Sequence, residues 1–326
     1  MSTRDVFRAV ILAAGKSKRM KSRVSKIMHD VLGKPIIQYV VEAVQIPEVE
    51  EILVVVGPHN QEEVKGILGN SVRYVLQEEQ LGTAHALQVC QPALQNYHGQ
   101  LLVLVGDAPF LTREVIKKLV QYHRAHANVA ATLLTAIYET PPPYGRVVRD
   151  ATGRVIKIVE DKDADEEIKK IREVSTSHYA FDADIVLPLL EEIKNDNAQG
   201  EYYLPDVIEL LIQKGHNVAA LPVDDPFTTF GINTRQDLIR GIAEMRKRIV
   251  RRWLNAGVTI LDPETTFIDT TVEIGTDTVI YPFTHLEKHT RIGENCRIGP
   301  FVYLSGAYIP DGDVIVGNIR KSPRSG

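Results

Sequence analysis

Val10–Lys26 reads Val-Ile-Leu-Ala-Ala-Gly-Lys-Ser-Lys-Arg-Met-Lys-Ser-Arg-Val-Ser-Lys. An apolar run closes in two alanines and a glycine, and Lys16, Lys18, Arg19, Lys21, Arg23 and Lys26 follow. That order predicts a buried strand ending in a turn where no side chain blocks the backbone, with cations gathered beside it. Exposed N–H groups in such a turn, flanked by Lys and Arg, suit phosphate oxygens. A basic loop after a strand can equally be a solvated turn, so the rest of the chain has to decide. The stretch carries neither the Gly-x-x-x-x-Gly-Lys-Ser/Thr of a P-loop nor the Gly-x-Gly-x-x-Gly of a dinucleotide fold, which argues against a P-loop ATPase and a dehydrogenase.

Outward from this strand, strand and helix signals alternate. Phe7–Ala13, Ile52–Val56, Val72–Leu76, Leu101–Val105 and Val129–Ile137 are apolar runs of strand length. Between them, Pro35–Val44, Gln61–Leu68, Thr83–Leu94 and Thr112–His126 read as helices; in the first, Ile36, Ile37, Val40, Val41 and Val44 share a face. In the last, Thr112 is placed as N-cap and Glu114 lies in the first turn. Val155–Glu160 alternates as a further strand, the charged run Asp161–Lys170 reads as a solvated loop and helix, and Val207–Lys214 reads as an amphipathic helix. Continuous apolar strands alternating with helices predict an α/β domain with a mostly parallel sheet covered on both faces. Ligands of such folds sit beyond the carboxyl ends of the strands. The residues just after each strand are therefore the candidates.

Ala13, Ala14, Gly15 and Arg19 follow the first strand, and Gln77-Glu78-Glu79-Gln80-Leu81-Gly82-Thr83-Ala84 follows Val72–Leu76. Leu-Gly-Thr here could simply open a helix. Gly106-Asp107-Ala108-Pro109 follows Leu101–Val105. A carboxylate at the end of a buried parallel strand is costly unless it faces a cleft or a metal, or caps the next helix.

Leu12-Ala13-Ala14-Gly15 with Arg19-Met20 and Lys26 resembles the Leu-Ala-Ala-Gly-x-Gly-x-Arg-Met…Pro-Lys signature of sugar-1-phosphate nucleotidyltransferases. Gln80-Leu81-Gly82-Thr83 with His85, Gly106-Asp107, Tyr144-Gly145-Arg146, Val159-Glu160-Asp161-Lys162-Asp163-Ala164, Ala198–Asp206 and Gly231-Ile232-Asn233 extend the likeness, over roughly residues 7–255, to bacterial N-acetylglucosamine-1-phosphate uridylyltransferases. The resemblance implies a Rossmann-like nucleotidyltransferase domain. It implies transfer of a uridylyl group from UTP to a sugar 1-phosphate, with Mg²⁺ held by Asp107 and Asn233. Arg19, Lys26 and Asp107 would be catalytic. Leu12, Ala13, Ala14, Gly15, Lys26, Gln77, Gly82, Thr83, Gly145, Glu160, Ser175 and Asn233 would bind substrates. A Gln77 amide offers donor and acceptor to a uracil edge, Gly82 would let the backbone approach the base, and Glu160 would accept from a sugar hydroxyl. Asn233 could otherwise be a helix N-cap, and Ala198–Asp206 could serve packing. The sequence departs from the pattern at Ser17 and Ser177, where the family has glycine, at Ser25, where it has proline, and at Ser175, where it has asparagine. The changes at Ser175 and Ser177 leave open another hexose 1-phosphate as substrate, and those at Ser17, Ser25 and Ser175 a non-catalytic sugar-nucleotide scaffold.

From Thr265 a period of six appears: Ile268, Ile274, Ile280, Leu286, Ile292, Ile298 and Leu304 fall in register, and Val316 resumes it past Pro310. This is the signature of a left-handed parallel β-helix of about three coils. Arg235–Ala256 reads as a long, charged helix linking two domains; domains are accordingly expected at 1–235 and 258–326, with 236–257 as the linker helix. The hexapeptide relatives that transfer acetyl groups carry more coils, so acetyl transfer is not expected. A stabilising or homo-oligomerising role for the β-helix is, with the tail Asn318–Gly326 as a candidate cover for its last coil. With 326 residues, 44% of them apolar, and a net charge of −4, the chain has no excess positive field for nucleic acid. No stretch approaches a membrane span, and two cysteines make no disulfide framework or metal spacing. A cytoplasmic location is the expectation. His123 and His126, three apart on a helix, lack a third ligand and read as surface residues.

Overall fold

The computed structural model describes residues 6–126, 128–317 and 319–321. They form two compact units: one contains the chain up to Met28 with Ile36–Asn233, the other His29–Pro35 with the chain from Thr234.

The first unit is a sheet between two layers of helices. Its strands are β1 (Phe7–Leu12), β2 (Val49–Val56), β3 (Arg73–Leu76), β4 (Gln100–Val105), β5 (Val129–Ile137), β6 (Arg146–Arg149), β7 (Val155–Val159), β8 (Glu173–Asp182) and β9 (Asn217–Pro222). The main path runs β3-β2-β1-β4-β8-β5-β9, with β6 and β7 attached through β8. Helices α1 (Ile36–Val44), α2 (Gln61–Leu68), α3 (Thr83–Gln88), α4 (Arg113–Ala125), α5 (Glu166–Lys169), α6 (Ala183–Leu189) and α7 (Asp206–Gln213) complete it. Strand residues point alternately to the two faces. Val10, Leu53, Val55, Leu101 and Val103 enter one buried cluster; Phe7, Ala9, Ile11, Val54, Leu102 and Leu104 enter another. Both faces are therefore apolar, which is why these strands read as continuous hydrophobic runs.

Leu12 lies level with Val55 on β2 and Val105 on β4, all parallel. The turn after β1 and the turn after β4 are thus brought side by side at one edge of the sheet.

Three readings of the sequence need correction. The ten-residue β8 lies antiparallel between β4 and β5, a strand that the apolar pattern of the sequence does not predict. In its polar run Ser175-Thr176-Ser177-His178, Ser177 is half-buried and the other three are buried; Thr176 Oγ1 donates to the Leu134 carbonyl, 2.7 Å, while His178 Nε2 has no hydrogen-bond partner among the described residues. The expected helix Thr83–Leu94 stops at Gln88 and continues as a 3-10 turn, Gln91–Leu94, with Pro92 at its start. His123 is not a surface residue. It is buried, with Nδ1 2.8 Å from Thr132 Oγ1 and Nε2 2.7 Å from Gln100 Oε1. Burial lowers its pKa to about 4. His126 is exposed and stacks on Tyr122.

In the second unit, α8 (Arg235–Asn255) starts at Thr234, whose hydroxyl and the Asp237 carboxylate form a reciprocal capping box. Short parallel strands then stack in three sheets, consistent with a short left-handed β-helix. Ile268 pairs with Leu286 and Leu286 in turn with Leu304, Ile274 with Ile292, and Ile280 with Ile298. The spacing of 18 ends there. Ile292 pairs with Ile309 and Ile298 with Ile315, each 17 residues on. One residue is dropped at the corner after Leu304, so Ile309 and Ile315 point inward and Val316 is exposed, against the register expected of it. The proposed cover at Asn318–Gly326 lies largely outside the described residues, which include only the short strand Ile319–Lys321 of that stretch.

Candidate active site

The turn after β1 is fixed from beneath by a residue the sequence did not flag. Asn60, 1% exposed, donates from Nδ2 to the Ala13 carbonyl (2.8 Å) and accepts at Oδ1 from the Gly57 amide (2.9 Å). Ser25 Oγ accepts from the same Nδ2 at 3.4 Å. A proline at 25 could not supply that oxygen, so this departure adds a contact. Ser17 does likewise. Its backbone sits at φ 39°, a left-handed value that glycine adopts with less strain. In return its hydroxyl donates to the Gly15 carbonyl and accepts from the Lys26 amide, each at 3.3 Å. The loop is thereby tied to the residue that ends it.

A cleft of about 700 Å³ opens at this edge. Leu12, Ala13, Ala14, Gly15, Arg19, Lys26, Gln77, Gly82, Thr83, Asp107 and Asn233 all line it, joined by Lys162, Gln199 and Glu201. Residues up to 221 apart in sequence thus share one hollow, and four polar side chains meet within it. Lys26 Nζ donates to Asp107 Oδ2 and to Asn233 Oδ1 (2.8 Å), and Arg19 Nη2 donates to Asn233 Oδ1 at 3.0 Å. Neither Asp107 nor Asn233 is spent on a helix end: Thr112 caps α4 and Thr234 caps α8. The Ile232 amide donates to the Asp107 carbonyl, 2.9 Å, which draws the 231–233 segment onto the end of β4.

One nitrogen within reach of both oxygens means that Asp107 and Asn233 converge on a single point. A carboxylate and an amide oxygen so placed fit a hard divalent cation, which takes one or two protein oxygens and completes its shell with phosphate and water. Among the described residues no group of three His, Cys, Asp or Glu could hold a metal. A cation here would therefore depend on substrate oxygens.

Elsewhere in the cleft lining, Gln77 is 3% exposed, with its amide nitrogen 3.3 Å from the Gly82 carbonyl and 3.0 Å from His85 Nδ1. Both amide hydrogens are thereby engaged, leaving the carbonyl oxygen for a ligand. Gly82 has φ 122°, and a Cβ there would lie 2.6 Å from the Tyr202 nitrogen. The glycine is required by the Tyr202 backbone, a different reason from the approach of a base. The Tyr202 amide donates to the Leu81 carbonyl (2.8 Å), its carbonyl accepts from Ala84 (2.9 Å), and Thr83 Oγ1 accepts from the Leu204 amide (2.9 Å). Segment 198–206 is stitched to loop 77–84, so it serves packing while Gln199 and Glu201 reach the cleft.

Gly145, Glu160 and Ser175 form a separate group, outside the residues that line this cleft. The Ser175 amide donates to the Gly145 carbonyl, 2.8 Å, and a Cβ on Gly145 would lie 3.3 Å from Glu160 Oε1. Arg146 is buried and structural: it donates to the Pro142 and Tyr144 carbonyls and pairs with Asp161 at 3.3 Å. Burial first, then the charges of Asp206, Asp163 and Asp161, push the Glu160 carboxyl up to about 7. Asp206 rises to about 6 by burial and the neighbouring carboxylates. Ser175 Oγ lies 3.2 Å from the Tyr179 hydroxyl, and Ser177 occupies φ 58° in a bulge of β8, where the pairing with β5 skips two residues. That bulge explains why glycine would be the easier residue at 177.

A nucleotidyl transferase family model matches residues 8–254, about three quarters of the chain, and a bacterial transferase hexapeptide model matches 271–306. The chain belongs to the nucleotidyl transferase family. This nucleotidyltransferase is 45% identical over 307 residues to the bifunctional protein GlmU of Exiguobacterium sibiricum, covering 94% of its own length and 68% of the relative's. To the proteins of the same name from Caldanaerobacter subterraneus and Acetivibrio thermocellus it is 46% identical, over 90% and 93% of the chain and 63% and 65% of theirs. The chain spans about two thirds of the length of these relatives. Among the described residues no helix is long and apolar enough to cross a membrane.

Proposed function

We propose that this nucleotidyltransferase moves a uridylyl group from UTP to a sugar 1-phosphate, N-acetylglucosamine 1-phosphate in the first instance, giving UDP-sugar and pyrophosphate. The observation that carries this reading is the meeting of Arg19, Lys26, Asp107 and Asn233 in one cleft beside the Gly15 turn.

A sugar-phosphate oxygen forms a bond to the α-phosphorus as the bond from that phosphorus to the bridging oxygen of pyrophosphate breaks. The attacking oxygen is already ionised, so no general base is required, and the task is to align two anions and neutralise their charge. Arg19 steadies the departing phosphates. Lys26 sits between the α-phosphate and the sugar phosphate. Asp107 and Asn233 would hold Mg²⁺, which when bound supplies positive charge to phosphate oxygens of both substrates. Gln77 presents its carbonyl oxygen to the uracil N3–H, with Gly82 and Thr83 beside the base; the Gly15 turn offers its N–H groups to the phosphates. Gly145, Glu160 and Ser175 face the sugar, where a carboxyl that exchanges its proton near neutrality can accept from or donate to a hydroxyl.

The cytoplasm, where both substrates would be met, is the proposed location, and self-association through the β-helix is the proposed assembly. The test is a pyrophosphate-release screen crossing four nucleoside triphosphates with hexose, hexosamine and N-acetylhexosamine 1-phosphates, with and without Mg²⁺. Release confined to UTP, metal and one sugar class supports the reading. UTP binding by calorimetry with no release from any pair would leave the scaffold alternative standing.

A further inference from the structure

We propose that Lys26 is an internal counter-cation that makes divalent-metal binding conditional on the arrival of substrate phosphate. The proposal rests on the reading of Asp107 and Asn233 as metal ligands.

The argument begins with what the lysine touches. Its ammonium is bonded to Asp107 Oδ2 and, at 2.8 Å, to Asn233 Oδ1, the same two oxygens that converge on one point. The pair is shielded, with the Lys26 and Asp107 side chains 18% and 14% exposed. Arg19 approaches Asn233 Oδ1 from another side at 3.0 Å. An ammonium and a divalent ion cannot both occupy this position. Held a few ångströms apart they repel, and that repulsion is screened least where water is scarce. A metal ion arriving alone must therefore displace Lys26 and leave its ammonium with no anion in exchange.

A metal–triphosphate complex meets a different situation. It brings the ion for Asp107 and Asn233 together with phosphate oxygens for the displaced ammonium. Lysine suits such a transfer, being a compact charge on a four-carbon stem. The backbone of Lys26 need not move, because its amide is tied to Ser17 Oγ beside the turn that is placed to receive phosphate. Metal and nucleotide binding are thus coupled through one side chain, and the coupling acts equally in both directions.

The test is Mn²⁺ titration of the full chain without nucleotide, read from the loss of the free-ion paramagnetic resonance signal. Lys26→Gln is expected to bind Mn²⁺ at least tenfold more tightly than the wild type. Lys26→Arg, which keeps a cation there, should bind no more tightly than the wild type. Lys16→Gln removes the same charge from another residue lining the cleft and should change the affinity less than twofold. Equal affinities for wild type and Lys26→Gln, or a gain in Lys16→Gln as large as in Lys26→Gln, would overturn the proposal. Pyrophosphate release by the wild type is measured in parallel. Equal Mn²⁺ affinities alongside normal release would sink the counter-cation idea and leave the proposed reaction intact. A tenfold gain with no release by the wild type would do the reverse.

Discussion

The two ends of the proposed substrate site solve opposite electrostatic problems. Where phosphates are expected, charges are paired: Lys26 and Arg19 lie on Asp107 and Asn233. Where the sugar is expected, Glu160 and Asp206 are half-buried among Asp161, Asp163 and Asp196, and their pKa values rise to about 7 and 6. Arg146 is the cation that favours the Glu160 charge, and its own donors are taken up by backbone carbonyls and Asp161. The comparison teaches that one end is prepared to exchange ionic partners and the other to handle a neutral, hydroxylated ligand. Losing a group at the first should cost catalysis; at the second, recognition, with some stability regained.

The largest effect should come from Asp107→Ala and Lys26→Ala. Each should lower turnover by about 10²–10⁴-fold, the range for removing a charged group that acts in a transition state, while thermal melting stays cooperative. Near-normal pyrophosphate release from both would erase the distinction between the two ends.

Glu160→Gln should instead reduce kcat/KM for the sugar phosphate by about 10–100-fold, the loss expected of a hydrogen bond to a charged group, with little change in UTP affinity. It should also alter stability with pH. A carboxyl whose folded pKa is raised from 4.5 to about 7 favours the fold below the lower value and loses that contribution as pH rises through the higher. The variant and wild type should unfold alike at pH 4.5. By pH 8 the variant should lead by about 2 kcal/mol in urea titrations, a partial share of what such a shift carries. No divergence with pH would mean that Glu160 ionises freely.

Buried histidines pull the other way. His123 and His178 are both lowered to about 4, chiefly by burial, and His178 lies on β8 with Nδ1 3.5 Å from the Val105 amide. Their unfolded forms bind a proton below about 6.5, so their stabilisation is complete above that value and is lost as pH falls toward 4. His123→Gln should reduce the loss of stability between pH 6.5 and 4 by about 1–3 kcal/mol. An unchanged acid limb of the stability profile would show that its ring is not held neutral.

The smallest effects separate the two serines that stand at left-handed backbone positions. Ser177→Gly relieves a strained φ and should stabilise by up to about 1 kcal/mol. Ser17→Gly relieves the same strain but removes the hydroxyl between Gly15 and Lys26, so about zero net change is expected, with pyrophosphate release reduced a few-fold. Identical outcomes would mean that the Ser17 hydroxyl contributes nothing at the phosphate end.

These residues also mark what the sequence could reveal. Strands β1, β2, β4 and β5 are legible because two apolar faces leave long aliphatic runs; β3, at the sheet edge, shows only a short Tyr-Val-Leu stretch. β8 is not legible, because Ser175, Thr176 and His178 are buried against Tyr179, the Leu134 carbonyl and the Val105 amide, and a polar run with a bulge has no strand period. The six-residue repeat shows the β-helix at once, yet a single residue omitted after Leu304 moves the inward position from Val316 to Ile315, and local spacing cannot signal that. The charged residues of the cleft were legible from their motifs and their places after strands. Asn60 and Tyr202 were not: one acts through the carbonyl of Ala13 and the other through its own backbone, and neither contact leaves a mark in side-chain pattern.

The stitching of Tyr202 and Leu204 to residues 81–84 bears on how the protein comes to be made. As the chain emerges from a ribosome, the first strands can pair early, but the loop after β3 acquires its partners only when more than a hundred further residues have been added. Asn233 arrives later still. A nascent chain would therefore hold much of its sheet for some time before it could grip a nucleotide, and binding competence would appear late in synthesis.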